Sequence, residues 1–183
     1  MSSSKVKKDV KIAISGKSGC GNTTVSRLVA EALNLRFINF TFRNLAQERG
    51  LSLNEVLALA AADDAWDREV DTRQTEMARE EGGCVLGSRL AIWMLGEADL
   101  KVVLTARPET RAKRIQGREG DSLKHVSEFT DSRDRQDHDR YLRIYNINND
   151  EYSFADLVIE TDEISPAEIA KKIITEVEGK FSG

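Results

Sequence analysis

The stretch from residue 10 to residue 33 constrains the fold most strongly, because an apolar run, a glycine-rich loop and an amphipathic segment follow one another in it. The apolar run VKIAIS (10–15) predicts a buried β-strand. After the loop, apolar residues recur at helical spacing, at Val25, Leu28, Val29, Ala32 and Leu33. A strand, a glycine loop and a helix in this order favour a site for phosphate groups.

The loop itself, GKSGCGNTT (16–24), nearly matches the pattern Gly-x-x-x-x-Gly-Lys-Ser/Thr of nucleotide-binding loops. Its glycines would let backbone N–H groups approach phosphates closely, and Thr23 stands where a hydroxyl would bind Mg²⁺. Asn22 replaces the lysine of the pattern, so the loop loses a positive charge there. A glycine turn that binds no ligand is the alternative. The candidate ATP-binding residues of this loop are Gly16, Lys17, Ser18, Gly19, Cys20, Gly21, Asn22, Thr23 and Thr24.

The rest of the chain alternates between short apolar runs and segments with helical spacing. Further strands are predicted at 36–40, 85–87, 100–105 and 157–160, and helices at 44–47, 53–62, 66–78, 109–116 and 123–144. Ser165-Pro166-Ala167-Glu168 combines an N-cap, a proline at the first helical position and a glutamate at N3, which predicts a last helix. The alternation predicts one α/β domain over residues 1–183, with helices on both faces of a five-stranded parallel sheet.

Charge and cysteine content exclude several classes of protein. The formal net charge of −4 over 183 residues argues against a general binder of nucleic acid or of membrane surfaces. Cys20 and Cys84 lie far apart and only two histidines are present, so we expect neither a disulfide framework nor a structural zinc site. The first ten residues are polar, and no apolar run is long enough to span a bilayer. We therefore expect a cytoplasmic protein.

Four stretches, in their order and spacing, resemble the compact cytidylate kinases of the archaeal type, which are P-loop nucleoside monophosphate kinases. The stretches are ISGKSGCGNTTVSRLVAEALNL, TFRNLAQERGLSLNEV, WDREVDTRQTEMA…EGGCVLGSRLAIW and SRDRQDHDRYLRIYNIN. The resemblance covers the chain from about Val10 to Val177. It implies a P-loop NTPase-type three-layer α/β fold with a helical monophosphate-binding insert at about 40–80 and a mobile lid at about 117–148.

The activity that this resemblance implies is Mg²⁺-dependent phosphoryl transfer from ATP to CMP or dCMP, which yields ADP and CDP or dCDP. We expect the enzyme to be a monomer whose partners are these nucleotides, without nucleic acid or membrane. One alternative is a P-loop kinase for AMP or for a non-nucleotide acceptor. The other is a nucleotide-binding regulatory module that has lost turnover, although such a module would have little use for the arginines described next.

Phosphoryl transfer requires that spread negative charge be neutralised, and arginine does so through bidentate contacts to phosphate. By resemblance, the acceptor nucleotide is bound by Arg43, Arg73 and Arg89. Four polar residues recur at i, i+4, i+8 and i+11 and are expected to share one helical face: Asp63, Asp67, Asp71 and Gln74. A carboxylate, either Asp71 or Asp63, could read cytosine together with Arg73. An ordinary solvated polar face is the alternative.

The arginine-rich segment that follows resembles the family's lid. Arg133, Asp137 and Arg140 fall on one helical face, and closure of a lid over ATP would bring them to the transferring phosphoryl group. They are the catalytic candidates, and Arg114 and Arg118 are further candidates for ATP binding. An exposed helix with internal salt bridges is the alternative.

Two departures from the family's pattern concern charge. The family usually carries an acidic residue in the tripeptide that ends at Arg89, but this chain has Gly87-Ser88-Arg89. The lysine that the family carries in the glycine loop is sometimes replaced, and in this chain Asn22 replaces it. Lys17 is the nearest cation that could compensate, although a solvated loop lysine is the simpler interpretation.

Overall fold

One parallel sheet forms the centre of the protein in a computed structural model, which describes residues 9–119 and 123–181. Its strands are β1 (Lys11–Gly16), β2 (Arg36–Ile38), β3 (Cys84–Gly87), β4 (Leu100–Thr105) and β5 (Leu157–Glu160). All pairings are parallel, and the order across the sheet is β2-β3-β1-β4-β5. The predicted five-stranded parallel sheet is therefore confirmed.

Eight helices accompany the strands in the described part of the chain. They are α1 (Asn22–Leu33), α2 (Phe42–Arg49), α3 (Leu53–Ala62), α4 (Ala65–Arg79), α5 (Ala91–Met94), α6 (Pro108–Glu119), α7 (Leu123–Tyr145) and α8 (Pro166–Phe181). No helix of the described ranges is both long and apolar enough to cross a membrane.

Successive side chains of β1 point to opposite faces of the sheet, and each face has its own core. Ile12 packs in a cluster with Val25 of α1 and Ile173 of α8, all of them fully buried. Ala13 belongs to a second cluster on the other face, which includes Ile92 of α5. Helices cover both faces, so the three-layer arrangement is confirmed as well.

Two helices and one strand differ from the sequence-based prediction. α2 begins at Phe42 because Thr41 and Asn44 form a reciprocal cap at its amino terminus. α5 is only four residues long, and its continuous apolar sequence AIWM gave no helical period to detect. Strand β2 ends at Ile38, two residues earlier than predicted.

The carboxyl ends of β1 and β3 lie next to each other, since Ile14 pairs with Gly87. The glycine loop leaves β1 at this edge, and Ser88 and Arg89 leave β3 beside it. Ligands of parallel sheets bind at the carboxyl edge, where the chain changes direction between neighbouring strands. This edge is where the candidate site is built.

Candidate active site

The glycine loop has the backbone conformation that a phosphate cradle requires. Gly19 and Gly21 have φ angles of +85° and +91°, which a residue with a side chain would adopt only at a cost. A Cβ atom on Gly19 would also lie 2.9 Å from backbone atoms of Arg111, so α6 packs directly against the loop. The loop ends at the amino terminus of α1, whose free N–H groups favour an anion.

Asn22, at the lysine position of the pattern, bonds to protein groups. Its Nδ2 donates to the carbonyl oxygen of Ser88 at 3.0 Å, and its Oδ1 accepts from Ser26 Oγ at 3.0 Å. Ser26 packs so closely on β3 that a Cβ atom on Gly87 would lie 2.6 Å from its hydroxyl. The residue that replaces the lysine thus joins α1 to the end of β3.

Lys17 forms an ion pair of 2.7 Å with Asp150. The same carboxylate lies 3.3 Å from His138 Nδ1 on α7, and both partners of the lysine pair are well exposed. Asp150 thus already neutralises Lys17, the loop's only cationic residue.

A cavity of about 920 Å³ extends from the glycine loop to α4. At one end it is lined by the loop, by Arg114 and by three apolar residues around the start of α8, Ile164, Pro166 and Ile169. At the other end α4 contributes what we call its cavity face, made of Asp67, Val70, Asp71 and Gln74. Between the two ends the cavity is lined by Arg89, Arg133, Asp137 and Arg140.

A chain of ion pairs crosses the middle of this cavity. Arg89 pairs with Asp137 of α7, and Asp137 also accepts a hydrogen bond of 2.7 Å from Arg140. Nε of Arg140 in turn lies 2.9 Å from Oδ1 of Asp67 on α4, although the two are not aligned for a hydrogen bond. Asp137 and Asp67 are only 5% and 7% exposed, so these pairs are shielded from water. The structure therefore brings the predicted catalytic residues together with Arg89. Arg133, by contrast, has no ion pair with a described carboxylate.

The two aspartates of the α4 cavity face have raised pKa values. Burial raises the pKa of Asp67, and the guanidinium of Arg140 partly opposes this effect. Burial likewise raises the pKa of Asp71 to about 6, against the hydrogen bond from Tyr145, which lowers it. That bond joins Tyr145 Oη to Asp71 Oδ2 at 2.7 Å. Carboxylates with pKa values shifted by burial inside a cavity are typical of functional sites.

Several residues predicted to bind the acceptor lie outside the cavity lining. Arg43 is exposed in the first turn of α2. Arg73 forms a bidentate pair with Glu48, at 2.5 and 3.1 Å, and its guanidinium stacks over Phe40. Asp63 does not share the helical face of α4, because it caps the end of α3 in an extended conformation and accepts a hydrogen bond from the N–H of Ala65.

At the other end of the cavity, α6 is fastened to the glycine loop. Arg114 donates to the carbonyl of Gly19 at 3.2 Å and to Thr161 Oγ1 at 2.9 Å. Arg111 donates to the carbonyl of Ser18 and forms a bidentate pair with Asp134 of α7. Arg118, also predicted to bind ATP, has a side chain outside the described residues.

Two contacts of the site were not anticipated, the pair Arg111–Asp134 and the bond from Tyr145 to Asp71. The first joins residues 23 apart and the second residues 74 apart, so no local pattern encodes them. Tyr145 does follow Asp137 and Tyr141 at steps of four, which places all three on one face of α7. That spacing was the one indication available in the sequence.

Acidic, cysteine or histidine residues that could hold a metal do not cluster in threes within the described ranges. Thr23 is exposed in the second position of α1 and lines the cavity. The site thus combines an anion-binding loop, a hydroxyl beside it, several guanidinium groups and a polar face. Such an arrangement can bind two phosphate-bearing molecules and neutralise charge that passes between them.

Relatives of known name match this chain over nearly its full length. A protein named cytidylate kinase 2 from Borreliella burgdorferi is 44% identical over 173 residues, which cover 92% of this chain and 96% of the relative. A protein named cytidylate kinase from Pyrococcus horikoshii is 41% identical over 157 residues, which cover 85% of this chain and 81% of the relative.

Solved structures with less similar sequences share the fold. A shikimate kinase from Acinetobacter baumannii, in complex with shikimate, superposes with a TM-score of 0.62 at 18% sequence identity. The alignment covers 93% of this chain and 94% of the shikimate kinase chain. At that identity the likeness concerns the P-loop kinase fold alone. The model of the cytidylate kinase-like family, in contrast, matches residues 11–163, which include the glycine loop, α2 to α4 and α7. The chain belongs to the cytidylate kinase-like family.

Proposed function

We propose that this protein is a cytidylate kinase, which transfers the γ-phosphoryl group of ATP to CMP or dCMP and releases ADP and CDP or dCDP. One observation carries the proposal, the continuous cavity that the glycine loop and the cavity face of α4 both line, with arginines between them. A donor and an acceptor nucleotide need adjoining sites with cations at their junction. The names of the relatives support CMP as the acceptor.

In this reaction an oxygen of the acceptor phosphate attacks the γ-phosphorus, and the bond from that phosphorus to the β–γ bridging oxygen breaks. The bonding electrons remain on ADP. Because the attacking oxygen is already charged, no side chain has to act as a nucleophile or remove a proton. The work left to the protein is to align the two nucleotides, exclude water and neutralise charge.

Arginines of α7 and of the loop after β3 are suited to that work. Asp137 holds Arg89 and Arg140 side by side in the cavity. A phosphate group presents the same pair of oxygens as a carboxylate, so the acceptor phosphate fits these two guanidinium groups. Arg133 lines the cavity without a described carboxylate partner, and we assign it to the transferring phosphoryl group.

Mg²⁺, when bound, would neutralise the β- and γ-phosphate oxygens of ATP. The hydroxyl of Thr23, exposed in the cavity beside the glycine loop, is the group of this chain that would hold it. No acidic cluster of the described residues offers a complete ligand set. Mg²⁺ in kinases is bound largely by phosphate oxygens and water, so one protein hydroxyl fits its needs.

We assign recognition of cytosine to Asp71 rather than to Asp63. Asp71 lines the cavity, whereas Asp63 caps α3 outside it. Burial raises the pKa of Asp71 to about 6, so the carboxylate is largely ionised at neutral pH. An ionised carboxylate accepts a hydrogen bond from the N4 amino group of cytosine and repels the O4 oxygen of uracil.

The test of this function is ADP release with CMP, dCMP, UMP or AMP as acceptor, measured by a coupled assay at saturating Mg²⁺ and ATP. We expect good turnover with CMP and dCMP and poor turnover with AMP. Comparable turnover with AMP would reject specificity for CMP, but the assignment of the protein as a P-loop kinase would remain. Absence of ADP release with every acceptor would instead favour a regulatory module.

We further infer that the enzyme acts as a cytoplasmic monomer. We also infer that it binds no nucleic acid, in keeping with its net charge of −4. Light scattering during size-exclusion chromatography tests the oligomeric state. A mass of twice 20.5 kDa would reject the monomer.

A further inference from the structure

Gln74 is a buried amide whose oxygen has no partner within the described residues. The residue is 6% exposed, and its Oε1 accepts no hydrogen bond. It lies on the cavity face of α4 and lines the cavity. Buried polar atoms of native proteins are nearly always bonded, so an unbonded one beside a cavity is placed to bond to a ligand or to water in that cavity.

The two aspartates of that face each have a partner in the protein. Asp67 neighbours Arg140, and Asp71 accepts from Tyr145. Val70 is apolar and packs in a small core with Phe40 and Leu45. Tyr145 bonds to Oδ2 of Asp71 and leaves its Oδ1 for a ligand, whereas the amide oxygen of Gln74 has no partner at all among the described residues.

The cavity walls near α4 suit a flat ring. Phe40, Leu57 and Tyr141 line the same cavity and offer apolar or aromatic surface. Enzymes read single bases by hydrogen bonds to the Watson–Crick edge while such side chains cover the ring faces. An amide supplies both a donor and an acceptor, which that edge of cytosine requires at N3 and N4.

We propose that the Gln74 amide reads the Watson–Crick edge of cytosine, accepting from the N4 amino group and donating to N3. The proposal rests on the proposed function, since it names how the same site holds the acceptor base. An amide alone also fits uracil, because turning it over exchanges its donor and acceptor. The neighbouring carboxylate of Asp71 removes that ambiguity, since it requires a donor at position 4 of the ring. Gln74 thus contributes affinity and Asp71 contributes discrimination.

The experiment compares the wild type with Gln74→Met, which keeps the length of the side chain and removes its polar atoms. We expect KM for CMP to rise roughly tenfold or more, because a bidentate contact is lost. The midpoint of thermal unfolding should stay unchanged or rise, because an unbonded buried amide is replaced by an apolar group. The matched control is Gln47→Met, the same substitution at an exposed position of α2.

A second acceptor separates base reading from a merely structural role. 3-Deaza-CMP lacks the N3 acceptor, so the wild type should use it with a higher KM than CMP, and Gln74→Met should use the two alike. A preference for CMP over 3-deaza-CMP that survives in Gln74→Met would overturn the proposal. So would a lowered unfolding midpoint with equal losses for both acceptors. Neither result would contradict cytidylate kinase activity, which the wild type reports by itself.

Discussion

Asn22 holds two parts of the fold together at the position where nucleotide-binding loops carry a lysine. Its two hydrogen bonds, to Ser88 and Ser26, join the start of α1 to the end of β3. The amide uses one of its two Nδ2 hydrogens on Ser88 and, unlike a lysine, carries no positive charge. Neutralisation of the triphosphate is therefore left to backbone N–H groups, to Mg²⁺ and to side chains outside the loop.

Asn22→Ala should therefore reduce stability more than ATP binding. The loss of its two partly buried hydrogen bonds should lower the free energy of unfolding by about 1–2 kcal/mol. The Kd for ATP should change by less than roughly tenfold, since no charged contact is removed. Denaturant unfolding and ATP titration check the two parts. Lys17→Ala serves as the control for stability, because an exposed ion pair contributes little. A large rise in Kd with unchanged stability would show that Asn22 binds phosphate.

Asp71 should make the stability of the protein depend on pH. Its pKa of about 6 in the folded state exceeds the ordinary value of 3.8, so the folded state binds more protons between these values. Wild-type stability relative to Asp71→Asn should therefore fall as pH rises from about 4 to about 6 and stay constant above that. The difference should reach at most about 3 kcal/mol. The measurement is the free energy of unfolding of both proteins at several pH values, and a difference between them that stays constant across this range would contradict the raised pKa.

At the scale of elements, the carboxyl-terminal part of α7 is tied to α4 by three polar contacts besides Arg140. Arg143 pairs with Asp64 at 2.6 Å, Tyr145 donates to Asp71, and Arg68 donates to the carbonyl of Ile144 at 3.1 Å. A lid that closes over ATP would therefore have to move together with α4 or break these contacts. The insert and the lid, which resemblance placed at about 40–80 and about 117–148, stay predictions, and residues 120–122 lie outside the described ones.

Arg133→Ala should lower kcat with little change in the affinity for either nucleotide. The contact of Arg133 with the transferring group forms mainly in the transition state, so its loss should cost at least about tenfold in kcat. Arg135→Ala, at an exposed position two residues further along α7, is the matched control. Steady-state kinetics and nucleotide titrations separate the two effects. Equal losses of ATP affinity and of rate would mean that Arg133 anchors ATP in the ground state.

Arg43→Ala tests whether α2 approaches the acceptor phosphate, and Arg89→Ala is the comparison at a residue that already lines the cavity. Arg89 lines the cavity, whereas Arg43 is exposed on α2 outside its lining. We expect both variants to raise KM for CMP by about tenfold or more, with ATP affinity nearly unchanged, since each removes a charge-assisted contact to phosphate. If Arg43→Ala kept wild-type kinetics for CMP, α2 would not approach the acceptor phosphate.

At the scale of the whole molecule, local patterns determined what could be predicted. The order of apolar runs and helical spacings was enough for a five-stranded parallel sheet between helices, because each such run must be buried. Loop 16–24 could be placed at the carboxyl edge because it directly follows β1. The prediction of one shared helical face was correct for Asp67, Asp71 and Gln74, because all three lie within α4.

What could not be predicted depends on contacts between distant residues. The extended backbone at Asp63 separates α3 from α4, so a spacing counted across this break misplaced that residue. The bonds of Asn22 to Ser88 and of Tyr145 to Asp71 join positions 66 and 74 residues apart. Asn22 and Ser88 meet only at the assembled edge of the sheet, and Tyr145 and Asp71 meet only where α7 lies beside α4. A lysine position thus became structural, and an aspartate became buried.

Transfer of a labelled phosphoryl group tests the central claim most directly. The wild type is incubated with Mg²⁺, CMP and ATP that carries the label on its γ-phosphate, and the products are separated. We predict that the label appears in CDP, in an amount equal to the ADP formed, with little in inorganic phosphate. Label found only in inorganic phosphate, or remaining in ATP, would contradict the claim that this cavity joins ATP to CMP.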